Sequence, residues 1–368
     1  MVIGTRPEAI KLAPVAAALA ERGIGPMLVF TGQHPKLDRP EYGLADYAAV
    51  RLDCPGQEDP NIHVGLVTKA LLPVLAGTAP SVVVVQGDTS SALGGALAAR
   101  IAKVPVAHVE AGLRSHDLRR PWPEEEFRVA IDRDAELLFA PTELSAANLR
   151  RERVHGRICV TGNTGIDAVL AVRGRIEPAE RDSDLPRLLV TCHRRENWRR
   201  GISGLATALR EIASQRLARV EVLLHPNPEL AGRVRALLFG HPGISLNRPF
   251  GHSETIAAMV RSRLVLSDSG GMQEEASALG VPLLVLREKT ERPEAIAGGG
   301  VELVGIDPAA IVRAVRRRLA QAGGGVATNL FGDGRAGERI ADVIEQWLGE
   351  REALSPRCPA VPRTAASW

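Results

Sequence analysis

Acidic side chains stand in three short segments where they could transfer protons. Asp88 lies in QGDTSS, Glu110 in HVEAGLRS, and Glu124 opens a row of three glutamates in PWPEEE. Carboxylates that are brought together in a closed site have shifted pKa values, and one of them can then donate a proton at neutral pH. These residues are therefore candidates for general acid–base catalysis. A helix N-cap is the other interpretation of Asp88, and a favourable charge at a helix start is the other interpretation of the glutamates.

Two further segments suit an anionic ligand. GTRPEAIK (residues 4–11) carries Arg6 and Lys11 between a short apolar stretch and a helical pattern. DSGGMQEEA contains Ser269, Gly270 and Gly271, with Glu275 one turn further on. Turns that lead from a strand into a helix expose backbone N–H groups, which bind phosphates. Both segments are therefore candidates for a diphosphate site, the alternative in each case being an ordinary surface turn.

More charged and imidazole groups follow apolar runs in the second half. His193 and Arg194 lie in HRREN, His225 lies in HPNP, and Arg292 belongs to the charged run at 287–294. Open α/β sheets bind ligands at the carboxyl ends of their strands. A lone histidine there is usually structural and a charge run is usually solvated, so these residues are candidates rather than a motif.

Short apolar runs alternate with helical patterns along the chain, which predicts βαβ units and buried parallel sheets. The predicted strands are 27–30, 82–85, 104–109, 137–139, 158–160, 187–190, 220–224, 264–266, 282–286 and 301–304. The predicted fold class is α/β, with two Rossmann-like doubly wound domains facing a central cleft. Helices are expected at 308–319, with Asp307 as its N-cap, and at 337–348.

A polar stretch without periodicity, between Val172 and Leu185, predicts the domain boundary. We therefore expect a first domain at 1–172 that carries the acidic cluster and a second at 173–336 that binds the anion. Residues 337–350 are expected to form a C-terminal helix, and the tail at 351–368 is expected to be poorly ordered.

Composition excludes several classes of protein. The chain has 368 residues, enough for about two domains, and its net charge of +3 is too balanced to indicate nucleic acid or a membrane surface as a partner. The four cysteines form no C-x-x-C pair, so no metal site is predicted. A formal G-x-G-x-x-G at 332–337 does not follow a strand, which argues against a dinucleotide. We expect a cytoplasmic protein without a cofactor.

Ten segments together resemble the non-hydrolysing UDP-N-acetylglucosamine 2-epimerases. They are GTRPEAIK, VQGDTSS, HVEAGLRS, PWPEE, VTGNT-ID, HRREN, HPNP, DSGGMQEEA, TERPE and GDG, and they occur in this order from Gly4 to about Gly334. The resemblance implies a glycosyltransferase-B-like pair of domains, a homodimer, and a C-terminal helix that crosses back onto the first domain. It also implies elimination of UDP to 2-acetamidoglucal, followed by re-addition with the opposite configuration at C2.

The resemblance also implies roles for single residues. Asp88, Glu110 and Glu124 resemble the catalytic carboxylates, and His193 resembles the histidine beside the leaving diphosphate. Substrate-binding positions are Arg6, Lys11, Arg114, Arg194, His225, Ser269, Gly270, Gly271, Glu275 and Arg292, among which Glu275 would hold the ribose and Lys11 would support the acids. Gln33, Arg194 and His225 resemble the remainder of a second, activating nucleotide-sugar site.

Two positions depart from the family pattern. Phe127 replaces the usual asparagine before Arg128, and Arg133 follows Asp132 where histidine is common. Lys36 also replaces the usual glutamine or glutamate near the activating site. Three functions remain open: a reversible epimerase for UDP-N-acetylglucosamine or a close analogue, a hydrolysing relative that releases N-acetylmannosamine and UDP, and a catalytically impaired sugar-nucleotide-binding protein.

Overall fold

The structure is a computed structural model, and it describes residues 1–354 except 36, 38, 120, 178–184, 193–200, 291 and 322–324. His193, Arg194, Lys36 and the tail beyond 354 lie outside the described residues.

The first half of the chain is a parallel α/β unit. Its strands are β1 (Val2–Ile3), β2 (Leu28–Phe30), β3 (Ala49–Arg51), β4 (Val83–Gln86), β5 (Val106–Val109), β6 (Leu137–Ala140) and β7 (Arg157–Val160). The helices are α1 (Arg6–Glu21), α2 (Pro60–Thr78), α3 (Ser90–Ile101), α4 (Glu124–Asp134), α5 (Glu143–Glu152) and α6 (Thr164–Arg173). One ladder runs β1-β2-β3 and the other β4-β5-β6-β7, and β1 contacts β4. Successive strands are therefore added outward on one side of β1 and then on the other side from β4, so the switch point lies between β1 and β4.

The second half repeats the scheme. Its strands are β8 (Arg187–Thr191), β9 (Arg219–Leu223), β10 (Ile244–Asn247), β11 (Leu264–Ser267), β12 (Leu283–Val285) and β13 (Val301–Leu303). The helices are α7 (Gly201–Ser214), α8 (Pro228–Leu238), α9 (His252–Val260), α10 (Gly270–Leu279), α11 (Pro293–Ala297), α12 (Pro308–Ala320) and α13 (Ala336–Leu354). The sheet order is β10-β9-β8-β11-β12-β13, with parallel pairing throughout. This is the doubly wound order, with its switch point between β8 and β11.

Burial on both faces explains why the central strands are continuous apolar runs. All four residues of β4 are buried, as are all four of β11. Apolar side chains from α1, β6 and α13 share one core, and those from α7, β8 and β9 share another. The prediction of two Rossmann-like α/β units is confirmed. Asp307 is also the N-cap of its helix, accepting from the Ala310 N–H at 2.7 Å.

Two helices join the halves. α6 packs against α1 on one side and against α9 and α10 on the other. α13 belongs to the second half by sequence but packs on α1, where Arg22 of the first half donates to Asp342. No helix in the described ranges is long and apolar enough to cross a bilayer.

Candidate active site

The candidate site lies where both switch points face each other. β1 and β4 lead directly into Gly4 and Gly87, while β8 and β11 end at Thr191 and Ser267, whose hydroxyls are hydrogen-bonded at 2.7 Å. A Cβ on Gly4 would lie 1.9 Å from the Ser91 Oγ, so only glycine allows β1 to approach the start of α3 this closely. The local sequence thus brings the GTRPEAIK and QGDTSS turns together.

Asp88 faces α4 rather than capping α3. Thr89 is the N-cap of α3, since its hydroxyl accepts from the Ala92 N–H at 3.1 Å. The Asp88 carboxylate instead pairs with the Arg128 guanidinium, which also donates to Glu125 at 3.0 Å. The N-cap interpretation of Asp88 is therefore wrong, and its side chain lies at the edge of the cleft.

Glu110 is held in a left-handed turn at the end of β5, with φ of 71°. Its Oε1 lies 2.5 Å from the Lys11 Nζ and 3.4 Å from the Asn163 Nδ2, and its Oε2 accepts from the Gln86 amide. Burial by itself would raise the pKa of Glu110, but Lys11 and Arg292 outweigh it and hold the pKa below its ordinary value. Glu110 is therefore an ionised carboxylate in an otherwise closed position.

Glu124 is the first residue of α4 and is half-buried. The next residue, Glu125, fixes the preceding loop by accepting from the N–H groups of Ser115 at 2.9 Å and His116 at 3.1 Å. Glu125 therefore anchors the loop, whereas Glu124 begins the helix.

The second half contributes α10 and the segment before α11. Ser269 is the N-cap of α10, and its own N–H donates to the Ser267 hydroxyl at 3.0 Å. A Cβ on Gly271 would meet no atom within 4 Å, so there is open space beside the first turn of α10. Further along, the Glu274 carboxylate accepts from both the Arg292 guanidinium and the Asn163 amide. Asn163 thereby connects Glu110 of the first half with Glu274 of the second.

Burial, reinforced by Glu274, raises the pKa of Glu275 to about 7. Lys11 and Arg292 act in the opposite direction without cancelling the effect. Glu275 can therefore change its charge near neutral pH.

The opening turn differs from its predicted form. Glu8 accepts from the N–H groups of Gly4 at 2.7 Å and Thr5 at 2.6 Å, so the turn's own carboxylate takes up the backbone donors expected to bind an anion. Arg6 remains at the cleft, where its guanidinium donates to the Tyr42 hydroxyl at 3.1 Å and to Glu41 at 3.2 Å. The anion-binding capacity of this turn therefore resides in Arg6.

Comparison with known proteins decides the family. The family model described as UDP-N-acetylglucosamine 2-epimerase matches residues 17–345. The UDP-N-acetylglucosamine 2-epimerase of Escherichia coli K12 is 39% identical over 372 aligned residues, covering 94% of this chain and 97% of the relative. The chain belongs to the UDP-N-acetylglucosamine 2-epimerase family.

Solved structures of this epimerase family share the fold. The Neisseria meningitidis UDP-GlcNAc 2-epimerase bound to UDP-GlcNAc has a TM-score of 0.84 and 33% identity, covering 94% of this chain and 98% of its own. The Methanocaldococcus jannaschii enzyme in complex with UDP-GlcNAc and UDP has a TM-score of 0.82 and 34% identity, with the same coverage.

The two residues of α4 that depart from the epimerase family pattern do not lie among the carboxylates. Phe127 is buried in the apolar core beneath α4, and Arg133 is exposed on the opposite face of that helix. Phe127 therefore contributes packing to the helix that carries Glu124, and Arg133 points to solvent.

The surroundings of Arg114 differ from those expected of a substrate-binding residue. Its Nε and Nη2 each lie 2.7 Å from Glu152, Nη2 also lies 2.7 Å from Asp132, and Nη1 donates to the Leu113 carbonyl. All three nitrogens are thus committed within the protein, because the guanidinium is buried between α4 and α5. The Arg114 guanidinium therefore belongs to an ion-pair network within the protein.

His225 lies in the second half, and a separate cavity opens between the halves. His225 follows β9, and its Nδ1 accepts from the Asn227 N–H at 3.0 Å. A cavity of about 640 Å³ between the halves is lined by residues 113–117 of the first half and 286–290 of the second. This cavity adjoins the acidic turns and forms an open side of the cleft in this epimerase family member.

Sequence reasoning missed four residues that contact the candidate site residues, namely Gln86, Arg128, Asn163 and Glu274. All four lie inside or beside the segments that resemble the epimerase family, and this position was the only sequence signal that pointed to them. Within the described residues, no group of three or more histidine, cysteine, aspartate or glutamate side chains could hold a metal ion.

Proposed function

We propose that this protein interconverts UDP-N-acetylglucosamine and UDP-N-acetylmannosamine without hydrolysing them, through 2-acetamidoglucal and UDP. The observation that carries this proposal is the ionised Glu110 carboxylate, 2.5 Å from Lys11 and connected through Asn163 to the α10 end of the cleft. Relatives with bound UDP-GlcNAc support the substrate class.

Inversion at C2 is difficult because no carbonyl makes that proton acidic. Elimination avoids the difficulty: Glu110 takes the C2 proton, the C1–O bond breaks, and the electron pair leaves with the UDP β-phosphate. Arg6 and the N–H groups of Gly270 and Gly271 would stabilise the departing diphosphate charge. Glu275 would hold the ribose hydroxyls.

Re-addition reverses these steps with one change. A UDP oxygen attacks C1 while a carboxylic acid on the opposite face returns a proton to C2. We assign this second face to Asp88 and Glu124, since Glu110 is the carboxylate whose pKa is lowered. In each turnover one carboxylate gains a proton and another loses one, and proton exchange with solvent would return both to their starting states.

This proposal includes the wider organisation of the protein. Residues 1–172 would supply the proton-transfer groups and residues 173–336 the UDP contacts, with the helix at 337–350 holding the second domain on the first. His193 would lie beside the diphosphate, the enzyme would be a homodimer, and it would act in the cytoplasm.

Incubation with UDP-N-acetylglucosamine in deuterated water, followed by proton and phosphorus NMR, tests the proposal. We expect both nucleotide sugars to carry deuterium at C2, with UDP still attached. Accumulation of free N-acetylmannosamine and UDP would instead indicate the hydrolysing reaction. Binding of UDP without any isotope exchange would indicate a catalytically impaired protein.

A further inference from the structure

A buried ion-pair network lies beneath the two turns that carry Asp88 and Glu110. His108 of β5 and Asp132 of α4 have completely buried side chains. The His108 Nδ1 lies 2.6 Å from the Asp132 Oδ1, and its Nε2 lies 2.8 Å from the Gly87 carbonyl oxygen. One imidazole therefore joins α4 to the peptide that directly precedes Asp88.

Hydrogen-bond accounting determines which ring nitrogen must donate. A carbonyl oxygen can only accept, and so the Nε2 that faces Gly87 must carry a hydrogen. Burial opposes ionisation of Asp132, but His108 and Arg114 outweigh it and lower the pKa of that carboxyl. Asp132 is also paired with Arg114, whose other partner is Glu152.

The same carboxylate holds the turn that follows Glu110. The second oxygen of Asp132 accepts from the Gly112 N–H at 3.1 Å. Gly112 has φ of 81°, and a Cβ there would lie 2.3 Å from the Ser145 carbonyl oxygen, so the turn is packed tightly onto α5. Asp132 thus fixes the backbone two residues after Glu110, while His108 fixes the backbone one residue before Asp88.

α4 contributes a second contact one turn earlier. Arg128 precedes Asp132 by four residues and so lies on the same face of the helix, where it pairs with Asp88. Glu124, four residues earlier again, begins that helix. Charged contacts at successive turns therefore dock the Glu124 helix against both acid-bearing turns.

We propose that His108 and Asp132 are positioning residues that fix the relative placement of Asp88, Glu110 and Glu124. The proposal rests on the proposed function, in which these carboxylates transfer protons to and from C2. A displacement of about 1 Å in a catalytic group can lower the rate about 100-fold, whereas UDP contacts on α10 do not depend on this network. The network should therefore act on kcat and leave UDP binding unchanged.

The main test compares Asp132→Asn with Asp134→Asn. Asp134 is the matched control because it lies on the same helix and pairs with exposed Arg100 outside the network. For the folded fraction of Asp132→Asn, we expect kcat for epimerisation to fall at least about tenfold, with the Kd for UDP within about twofold of wild type. A kcat equal to that of Asp134→Asn would overturn the proposal.

A second variant covers the case in which Asp132→Asn does not fold. Glu152 stands at the partly exposed end of the network, so Glu152→Gln loosens Arg114 without burying an unpaired charge. We expect kcat to fall about threefold, with an unchanged Kd for UDP. A wild-type kcat in this variant would also count against the proposal.

A spectroscopic readout separates this proposal from the proposed function. In protein labelled with ¹⁵N-histidine, the His108 signals, assigned by their loss in His108→Gln, should show a hydrogen on Nε2, which faces the Gly87 carbonyl. A ring without a hydrogen on Nε2 would contradict the network. Absence of turnover in the wild type would contradict the proposed function, whatever the histidine spectrum shows.

Discussion

The Lys11 ammonium nitrogen lies 2.5 Å from the Glu110 Oε1, and both side chains are largely buried. The pair connects the first helix of the chain to the end of β5. Burial works against both charges, yet the pKa of Glu110 is lowered and that of Lys11 is raised, because each stabilises the ionised form of the other. The ion pair therefore keeps the Glu110 carboxylate ionised although it is largely shielded from solvent.

Lys11→Met should raise the pKa of Glu110, because burial then acts without the opposing ammonium. Glu110 would then stay protonated up to a higher pH than in the wild type, even though Arg292 and Arg128 still oppose burial, so kcat should fall on the acidic side and recover as the pH rises. The measurement is kcat between about pH 5 and about pH 9, in which the acidic limb should move to higher pH. Lys103→Met, at an exposed position after α3, is the control. An unmoved limb would show that Lys11 does not set the ionisation of Glu110.

Arg128→Lys should lower kcat about tenfold, because a single ammonium cannot hold Asp88 and Glu125 at the same time. UDP affinity should change little, since α10 is not involved. Steady-state kinetics with UDP titration would measure both quantities. Arg133→Lys makes the same change on the exposed face of α4 and should behave as wild type. Equal kcat values in the two variants would argue against a role for Arg128.

Glu41→Gln should strengthen UDP binding severalfold, because Glu41 pairs with Arg6 and so competes with a diphosphate for it. A Cβ on Gly251 would lie 3.3 Å from the Glu41 Oε1, which places this carboxylate against the start of α9 across the cleft. Arg6→Ala should act in the opposite direction and cost turnover more than folding.

Calorimetric titration with UDP measures both effects of the Arg6–Glu41 pair. Glu143→Gln removes a carboxylate from an exposed ion pair on α5 and serves as the control. Unchanged UDP affinity in both Arg6→Ala and Glu41→Gln would show that the opening turn (residues 4–11) has only a structural role.

Glu275→Gln should change how stability depends on pH. The pKa of Glu275 is raised from 4.5 to about 7 in the folded protein, so the native state binds the extra proton between these values. Its contribution to the free energy of unfolding is full below about 4.5 and is lost as the pH rises through about 7.

The Glu275→Gln variant should therefore gain stability relative to wild type above about pH 7, by a few kcal/mol at most. Urea unfolding of the ligand-free protein at several pH values measures the difference. Glu211→Gln, on the exposed face of α7, should follow the wild-type curve. A Glu275→Gln curve parallel to wild type would contradict the raised pKa.

The sequence patterns predicted the central strands and the edge strands β7 and β13, but not β1, β3 and β10. β4 and β11 are buried on both faces and read as apolar runs, whereas β1 has only two residues. β3 and β10 are partly exposed edge strands with mixed residues, so neither carries a clear period. Strand pairing across the sheet determines these segments.

The sequence predicted which charged residues form the site, but it predicted less well which of them contact one another. Asp88, Glu110 and Lys11 do lie at neighbouring strand ends, as the parallel topology requires. Asn163 and Glu274 became recognisable only once both halves were folded together, since their contact spans 111 residues of sequence. Arg114 resembled a ligand donor by its motif, but only the tertiary structure shows Asp132 and Glu152 around its guanidinium.

The most direct test of the central claim, that Glu110 moves the C2 proton, is Glu110→Gln assayed in deuterated water. We predict that deuterium incorporation at C2 of UDP-N-acetylglucosamine falls at least about 1,000-fold, while the Kd for UDP stays within about threefold of wild type. Glu126→Gln, an exposed carboxylate on α4, should exchange at the wild-type rate. Exchange in Glu110→Gln within about tenfold of wild type would contradict the account.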